Sequence, residues 1–449
     1  MKRYLMLGLS FLMSMTVFGQ GQILEDYVRE GLESNLSLQQ TELELRKSQE
    51  RLQQAKAMYL PQLSFGASYT RAAGGRSIQF PIGDLLNPVY DALDQIQGAD
   101  IFLTVENVNE QFLPNDFHDT RLRLIQPVFN TDIKYNKLAQ ESLLDLTTLN
   151  KEQLEIELAN DIRQAYYQLI QASKAVDIYE STLEVMNELV RVNQKLVEND
   201  KATYDVIFRA EAEQAEIQSA LINARKDERV IQSYFNFLLN RDLLAEIVVD
   251  ETLIDFQSFQ SLDILSQEAL INRREIKQLN ALVSTNENLI KLAKGDASLP
   301  KVNLVIDGGF QGFSYSFDQD QDYVLAQLSL NWNIFQGGAK KSKIKESQFE
   351  LERVNAQKEQ VKDQVELQVI TAFNDYNAAL ESVEAAQARE LSAQKSFNLV
   401  QKKYFESQAI LIEYLEASNN YTTAQLSHSI AQFQALSKAS ELNKIIAKK

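Results

Sequence analysis

No glycine and no proline stands between Pro127 and Gly295, and none between Gly338 and the final Lys449. Every helix breaker falls at or before Pro127 or between Gly295 and Gly338. The two uninterrupted tracts are rich in Gln, Glu, Lys, Ala and Leu, which lose little side-chain freedom in a helix. They predict helices far longer than ordinary domains use. In the first tract Leu158, Ile162, Ala165, Leu169, Ala172, Val176, Tyr179, Leu183, Met186 and Val190 follow one another at spacings of four and three in turn. That is a sustained heptad seam. A second seam through Ile178, Val185, Leu189, Val192 and Leu196 runs beside it. A helix with two seams needs a neighbour on each side.

The seam occurs twice. Val365, Val369, Ala372, Tyr376, Ala379, Val383, Ala386, Ala393, Phe397, Val400 and Tyr404 repeat it 207 residues later, and Glu390, opposite Leu183, is the single break. The copies extend outward. PQLSFGASYT follows Leu60 and PKVNLVIDGGF follows Leu299, while RLRLIQPVFNTDIK from Arg121 matches QLSLNWNIFQGGAK from Gln327. Each unit therefore reads helix, strand, long loop, strand, very long helix, helix. The reading divides the chain into a signal peptide at 1–19, a first repeat at 20–240, a linker at 241–262 and a second repeat at 263–449. The long helices, about 131–198 and about 339–405, would each run roughly 100 Å at the helical rise.

Four strands are predicted, about 62–72, 121–129, 302–310 and 323–335. In the last, Val324, Ala326, Leu328, Leu330, Trp332 and Ile334 alternate with Gln327, Ser329, Asn331 and Asn333. Strict period-two alternation gives a strand one apolar and one polar face. The helices spend their apolar stripes on one another, so the strand faces must find another apolar medium. Each strand is near the roughly 9–11 residues that a tilted strand needs to cross a bilayer. Four strands cannot close, and an open edge in lipid leaves backbone groups unpaired. Three chains giving a twelve-stranded barrel is the simplest symmetric closure. The alternative is a small sandwich lying under the helices.

Lys2 and Arg3, the apolar run Tyr4 to Phe18 and the small Gly19 predict a secretory signal peptide. The chain has no cysteine, which excludes disulfides and thiolate metal sites. A formal charge of -17 speaks against nucleic acid as a partner. His118 and His428 are the only histidines, and HExxH, GxSxG and phosphate-loop patterns are missing. The expectation is no enzyme, no cofactor and no metal. Residues 74–117 form a long acidic connection with Asp84, Asp91, Asp94, Asp100, Glu106, Glu110 and Asp116 against Arg76. It is read as a solvated loop, with a lid or a ligand surface as alternatives.

The duplicated unit, the paired Leu-Pro strand starts, the phrase NIFQGGAKKSKI from Asn333 and the two helix hairpins resemble the TolC family of outer-membrane efflux proteins. The resemblance covers essentially the whole chain beyond the signal peptide. It implies a mainly α fold with a membrane β-barrel portion: a homotrimer whose twelve-stranded β-barrel, in outer-membrane lipid, is continuous with a periplasmic α-barrel of twelve helices. It also implies a mixed region around 241–263 and in the last residues of the chain. The implied function is the exit duct of a tripartite efflux pump or type I secretion system. Its implied partners are a periplasmic adaptor and an inner-membrane pump of RND, ABC or MFS type. A periplasmic coiled-coil scaffold without a pore is the alternative. At the hairpin turns, Asn199 and Ser407 occupy places where the family carries glycine. Glu413 and Glu416 match the family's acidic pair inside the pore, with ordinary solvated glutamates as the alternative. Tyr404 and Asp205 match gate contacts, and Ala409 stands where a gate arginine is found in relatives.

Overall fold

The computed structural model describes residues 22–250, 254 and 256–447, so the predicted signal peptide lies outside the described residues. In chain order the elements are α1 (Gln22–Ser34), α2 (Leu36–Ala57), β1 (Gln62–Thr70), β2 (Ser77–Phe80), α3 (Ile82–Gln97), β3 (Val108–Gln111), β4 (Phe117–Phe129), α4 (Thr131–Glu198), α5 (Asp205–Leu238), α6 (Leu262–Asn272), α7 (Arg274–Ser298), β5 (Lys301–Phe313), β6 (Asp322–Asn331), α8 (Ala339–Phe405) and α9 (Leu411–Ile445). They fall into two units. One comprises residues up to Gln49, Ser142–Ser284 and Leu351 onward; the other comprises Glu50–Glu141 and Thr285–Glu350.

The first unit is helical. The seam of α4 is its spine: Leu158, Ile162, Ala165, Tyr166 and Ile170 pack with Tyr27 and Val28 of α1, Phe235 and Leu238 of α5, and Phe433 and Leu436 of α9. Further along, Met186, Leu189 and Val190 join Ala210, Ile217, Phe397, Tyr404, Leu411 and Tyr414. The segment after α5 closes over this core. Val248 N–H donates to the Tyr27 hydroxyl at 3.0 Å and Asp250 N–H to the Tyr166 hydroxyl at 2.8 Å. Burial pushes the Tyr167 phenol up to about 12.

The helices ahead of each strand, predicted as single, are each broken once, at Asn35 and at Arg273. Both breaks serve a neighbouring helix end. Ser34 and Asn35 donate to the carbonyls of Leu239 (2.6 Å) and Leu238 (2.9 Å) at the end of α5. Arg273 donates to the carbonyl of Ile445, 3.2 Å away at the end of α9. A side chain that satisfies the last carbonyls of one helix while interrupting another costs little, because those carbonyls otherwise lack partners.

The second unit holds an antiparallel sheet in the order β1-β4-β5-β6 and a two-stranded ribbon β2-β3. In one chain the sheet is open at β1 and β6. β6 stops at Asn331 rather than near residue 335, because its last partner is Lys301 and the preceding Pro300 has no N–H to extend the ladder. The acidic connection after β1 is not a plain loop: it contains β2, α3 and β3. Asn87 of α3 exchanges two hydrogen bonds with the Val105 backbone (2.8 and 2.9 Å), and the Asp94 carboxylate accepts the Ile101 N–H at 2.7 Å. Among the described residues no helix is long and apolar enough to cross a membrane.

Candidate functional site

Strand register decides which side chains share a face. Leu63, Leu124, Ile306 and Ala326 stand in one row across the four strands, and Phe65, Leu122, Gly308 and Val324 in another. Leu304 with Leu328, and Val302 with Leu330, continue the same face. On the outer strands these residues are uncovered, Phe65 69% exposed and Val324 83%; on the inner strands Leu122 and Ile306 are exposed and Leu124, Val302 and Leu304 half-buried. The opposite face carries Ser64, Arg121, Arg123, Asp119, Asp307, Asn303 and Ser329, with Ile125, Val305 and Leu325 between them. Its charges are neutralised in place. Arg123 donates from Nε and Nη2 to the two oxygens of Asp307, both at 2.7 Å, and Arg121 pairs with Asp119 at 2.9 Å. The bidentate pair joins β4 to β5 at positions directly opposite one another. Gly309 is required beside it, since a Cβ there would lie 2.1 Å from the Thr120 carbonyl oxygen.

The hairpin tips are built from two equivalent turns. After α4, Lys201 N–H bonds Leu196 O (2.8 Å) and Asp200 N–H bonds Val197 O (3.0 Å); after α8, Gln408 N–H bonds Lys403 O (2.7 Å) and Ser407 N–H bonds Tyr404 O (3.0 Å). Both are Schellman ends with one residue in the left-handed region, Asp200 at φ 56 and Ser407 at φ 60. Ser407 is where the resemblance places it, but the first-copy residue is Asp200, not Asn199. The pair is 207 residues apart, so the repeat continues through the turns without slipping. Ser407→Gly relieves the Cβ crowding of that conformation, and is expected to stabilise the protein by about 1 kcal/mol. A higher thermal midpoint checks this; a lower one means the turn is not left-handed.

The first turns of α5 and α9 border a groove of about 750 Å³ whose lining includes Asp205, Arg209, Glu213, Glu216 and Glu416. Asp205, exposed at the start of α5, accepts the Thr203 hydroxyl and lies 3.9 Å from Arg209. Glu413 is in the first turn of α9, where its carboxylate accepts the Ile410 N–H at 3.4 Å. Both glutamates are exposed. Asn419 of α9 donates to Glu213 of α5 at 2.8 Å across the groove. Asp205 and Glu416, from different repeats, therefore share one acidic surface.

Tyr404 is elsewhere. It is buried, and its hydroxyl donates to Asn193 Oδ1 of α4, whose side chain is wholly enclosed. Asn193 Nδ2 in turn donates to the Val206 carbonyl in the first turn of α5, at 3.3 Å. One buried amide thus ties α8 to both α4 and α5. Tyr414 of α9 packs 5.1 Å from the Tyr404 ring and accepts a hydrogen bond from Gln401 at 3.4 Å. Burial raises both phenols above the ordinary tyrosine range, so both stay neutral donors at neutral pH. Sequence reasoning missed Asn193. Its signal was the seam itself, since Val190 plus three is Asn193, a polar residue where an apolar one is due.

The histidines are held structurally. His118 Nε2 lies 2.6 Å from Gln321 Oε1, and His428 Nδ1 lies 2.5 Å from Glu390 Oε2. The second pair accounts for the break in the second seam. Among the described residues no cluster of three or more metal-ligating side chains occurs.

An open sheet with one uncovered apolar face, joined in sequence to paired very long helices, is a fold shared with the solved outer-membrane channel OprN. Residues 265–448 match the family model described as outer membrane efflux protein. Outer membrane protein TolC of Salmonella enteritidis is 22% identical over 453 residues, covering 96% of this chain and 83% of that protein. Outer membrane protein TolC of Escherichia coli (strain K12) is 24% identical over 449 residues, with the same coverage. The crystal structure of the outer membrane protein VceC from Vibrio cholerae superposes with a TM-score of 0.77 at 16% identity, covering 95% of this chain and 97% of that one. The chain is thus similar over nearly its whole length to the outer membrane protein TolC, and in residues 265–448 to the outer membrane efflux protein family.

Proposed function

We propose that the chain forms a homotrimeric channel in the outer membrane of a diderm bacterium, the passive exit duct of a tripartite efflux pump or type I secretion system. The observation that carries this reading is the sheet. Its apolar rows are solvated in a single chain, and both outer edges, β1 and β6, lack a strand partner within it. Pairing β6 of one copy with β1 of the next satisfies both edges at once, and three copies give twelve strands. The apolar face then meets lipid, and the ion-paired face meets water.

In this reading the hairpin tips face the periplasm and dock an adaptor, which couples the duct to an inner-membrane pump of RND, ABC or MFS type. The channel performs no chemistry. Glu413 and Glu416 ring the periplasmic mouth and favour cations. The closed state is held by the chain Tyr404–Asn193–Val206, and Asp205 belongs to the acidic surface beside it. The 1–19 segment directs export, and residues 241–262 link the two repeats.

The test uses the absence of native cysteine. A panel of single-cysteine pairs, one on β1 such as Ser64→Cys and one on β6 such as Ser329→Cys, is oxidised in isolated outer membranes. Disulfide-linked species up to the trimer are expected, together with discrete conductance in planar bilayers. A soluble monomer extracted without detergent and silent in bilayers favours the coiled-coil scaffold instead.

A further inference from the structure

Phe129 is followed five and eight residues later by Lys134 and Lys137, and Phe335 at the same spacings by Lys340 and Lys343. The second copy adds Lys341 and Lys345, and no Asp or Glu stands between Asp322 and Glu346. This happens in a chain of formal charge -17. The lysines occupy the opening turns of α4 and α8, the positive end of each helix, where acids are favoured and cations are not. The first turn of α8 holds no acid to compensate. α4 keeps one acid, Asp132, in its first turn, so the rule is broken outright in α8, and lysines recur at the matching spacing in α4; that points to a reason outside the chain.

The neighbouring residues say what kind. Trp332, Ile334 and Phe335 follow β6 and are 51%, 75% and 82% exposed, and the matching Val128 and Phe129 are also uncovered. Lys340 is anchored, donating to the Asp296 carbonyl (2.8 Å) and to the Asn333 carbonyl (2.5 Å). Lys134, Lys341 and Lys345 are exposed, as is Lys343, which pairs with Glu346 at 3.0 Å on the surface. Amphipathic aromatics beside a basic cluster at the ends of spanning segments are what a membrane interface selects.

We propose that this band binds anionic phospholipid headgroups in the leaflet at the helix-joined ends of β4 and β6. The inference rests on the sheet spanning a membrane. The aromatic and aliphatic side chains sit at headgroup level, and the lysines reach the phosphates, each worth about fivefold in preference.

The full-length protein is reconstituted into vesicles of phosphatidylcholine alone and of phosphatidylcholine with phosphatidylglycerol. The lipid retained on re-extraction is then quantified by mass spectrometry. Enrichment of phosphatidylglycerol around the wild type is expected. Lys134→Gln/Lys341→Gln/Lys343→Gln/Lys345→Gln lowers it by about fivefold or more, and high salt lowers it likewise. Lys226→Gln/Lys395→Gln, away from the band, leaves it unchanged. Wild-type enrichment in the quadruple variant, or an equal loss in the control, overturns the lipid assignment while leaving the channel intact. Failure to insert into either vesicle overturns the membrane reading and this inference with it.

Discussion

With Glu413→Gln and Glu416→Gln combined in one chain, single-channel recordings are expected to lose most of their cation preference and their block by multivalent cations. Spacing of three places both carboxylates on one side of α9, so in the proposed trimer three copies would present six of them around one axis. Field lines converge in a narrow water-filled mouth walled by protein, and even about 1.4 kcal/mol of attraction per cation is a tenfold permeability ratio. Neither residue is buried, so the double change leaves packing alone and acts through charge. Asp205, Glu213 and Glu216 keep the adjoining groove acidic, so a small residual preference remains. Unaltered selectivity in the double variant would place these glutamates outside the conduction path.

Asn193→Leu is expected to shift the channel strongly toward open. The substitution is close in size, so the effect comes from hydrogen bonding rather than from a cavity. It removes the acceptor of the Tyr404 hydroxyl and the donor to the Val206 carbonyl together. The Tyr404 hydroxyl left bare and the lost second hydrogen bond of the Val206 carbonyl, which keeps its place in the α5 ladder, together cost on the order of 3 kcal/mol in the proposed closed state. Opening relieves this if the hydroxyl then meets water, which shifts the equilibrium by about a hundredfold. Tyr404→Phe leaves only the Asn193 oxygen bare, so a smaller shift of about 1–2 kcal/mol is expected. Coupling within a double-mutant cycle separates a latch from two independent packing defects. Unchanged closed lifetimes in Asn193→Leu, with the protein folded and trimeric, would remove the latch from the gate.

The long helices and the two-faced strands were legible because each is written in a period: three and four for the seams, two for the sheet. What lay beyond the periods was harder to read. The end of β6 is set by Pro300 on its neighbour, a long-range fact that alternation running on to Ile334 conceals. Helix α3 carries Pro88 in its interior, which reads as a breaker although it sits only in the second turn. At the first tip Asn199 and Asp200 both tolerate a left-handed backbone, and only the hydrogen-bond pattern selects the second. Asn193 looked like the place where a seam ends; its counterpart 207 residues on is Val400, so the two repeats diverge at the residue that joins three helices. Glu390 looked like a flaw until His428 was found opposite it.

The sheet has a further consequence. Its central pairing, β4 with β5, joins the two repeats to each other, and the Arg123–Asp307 fork is the fastening. Each half on its own would keep only a bare hairpin, which is marginal in isolation. The two halves of the sequence are therefore not self-sufficient modules. In the proposed trimer, half-length chains would have to gather in sixes to enclose the same lumen, and carrying both halves in one chain makes a contact between molecules an intramolecular one.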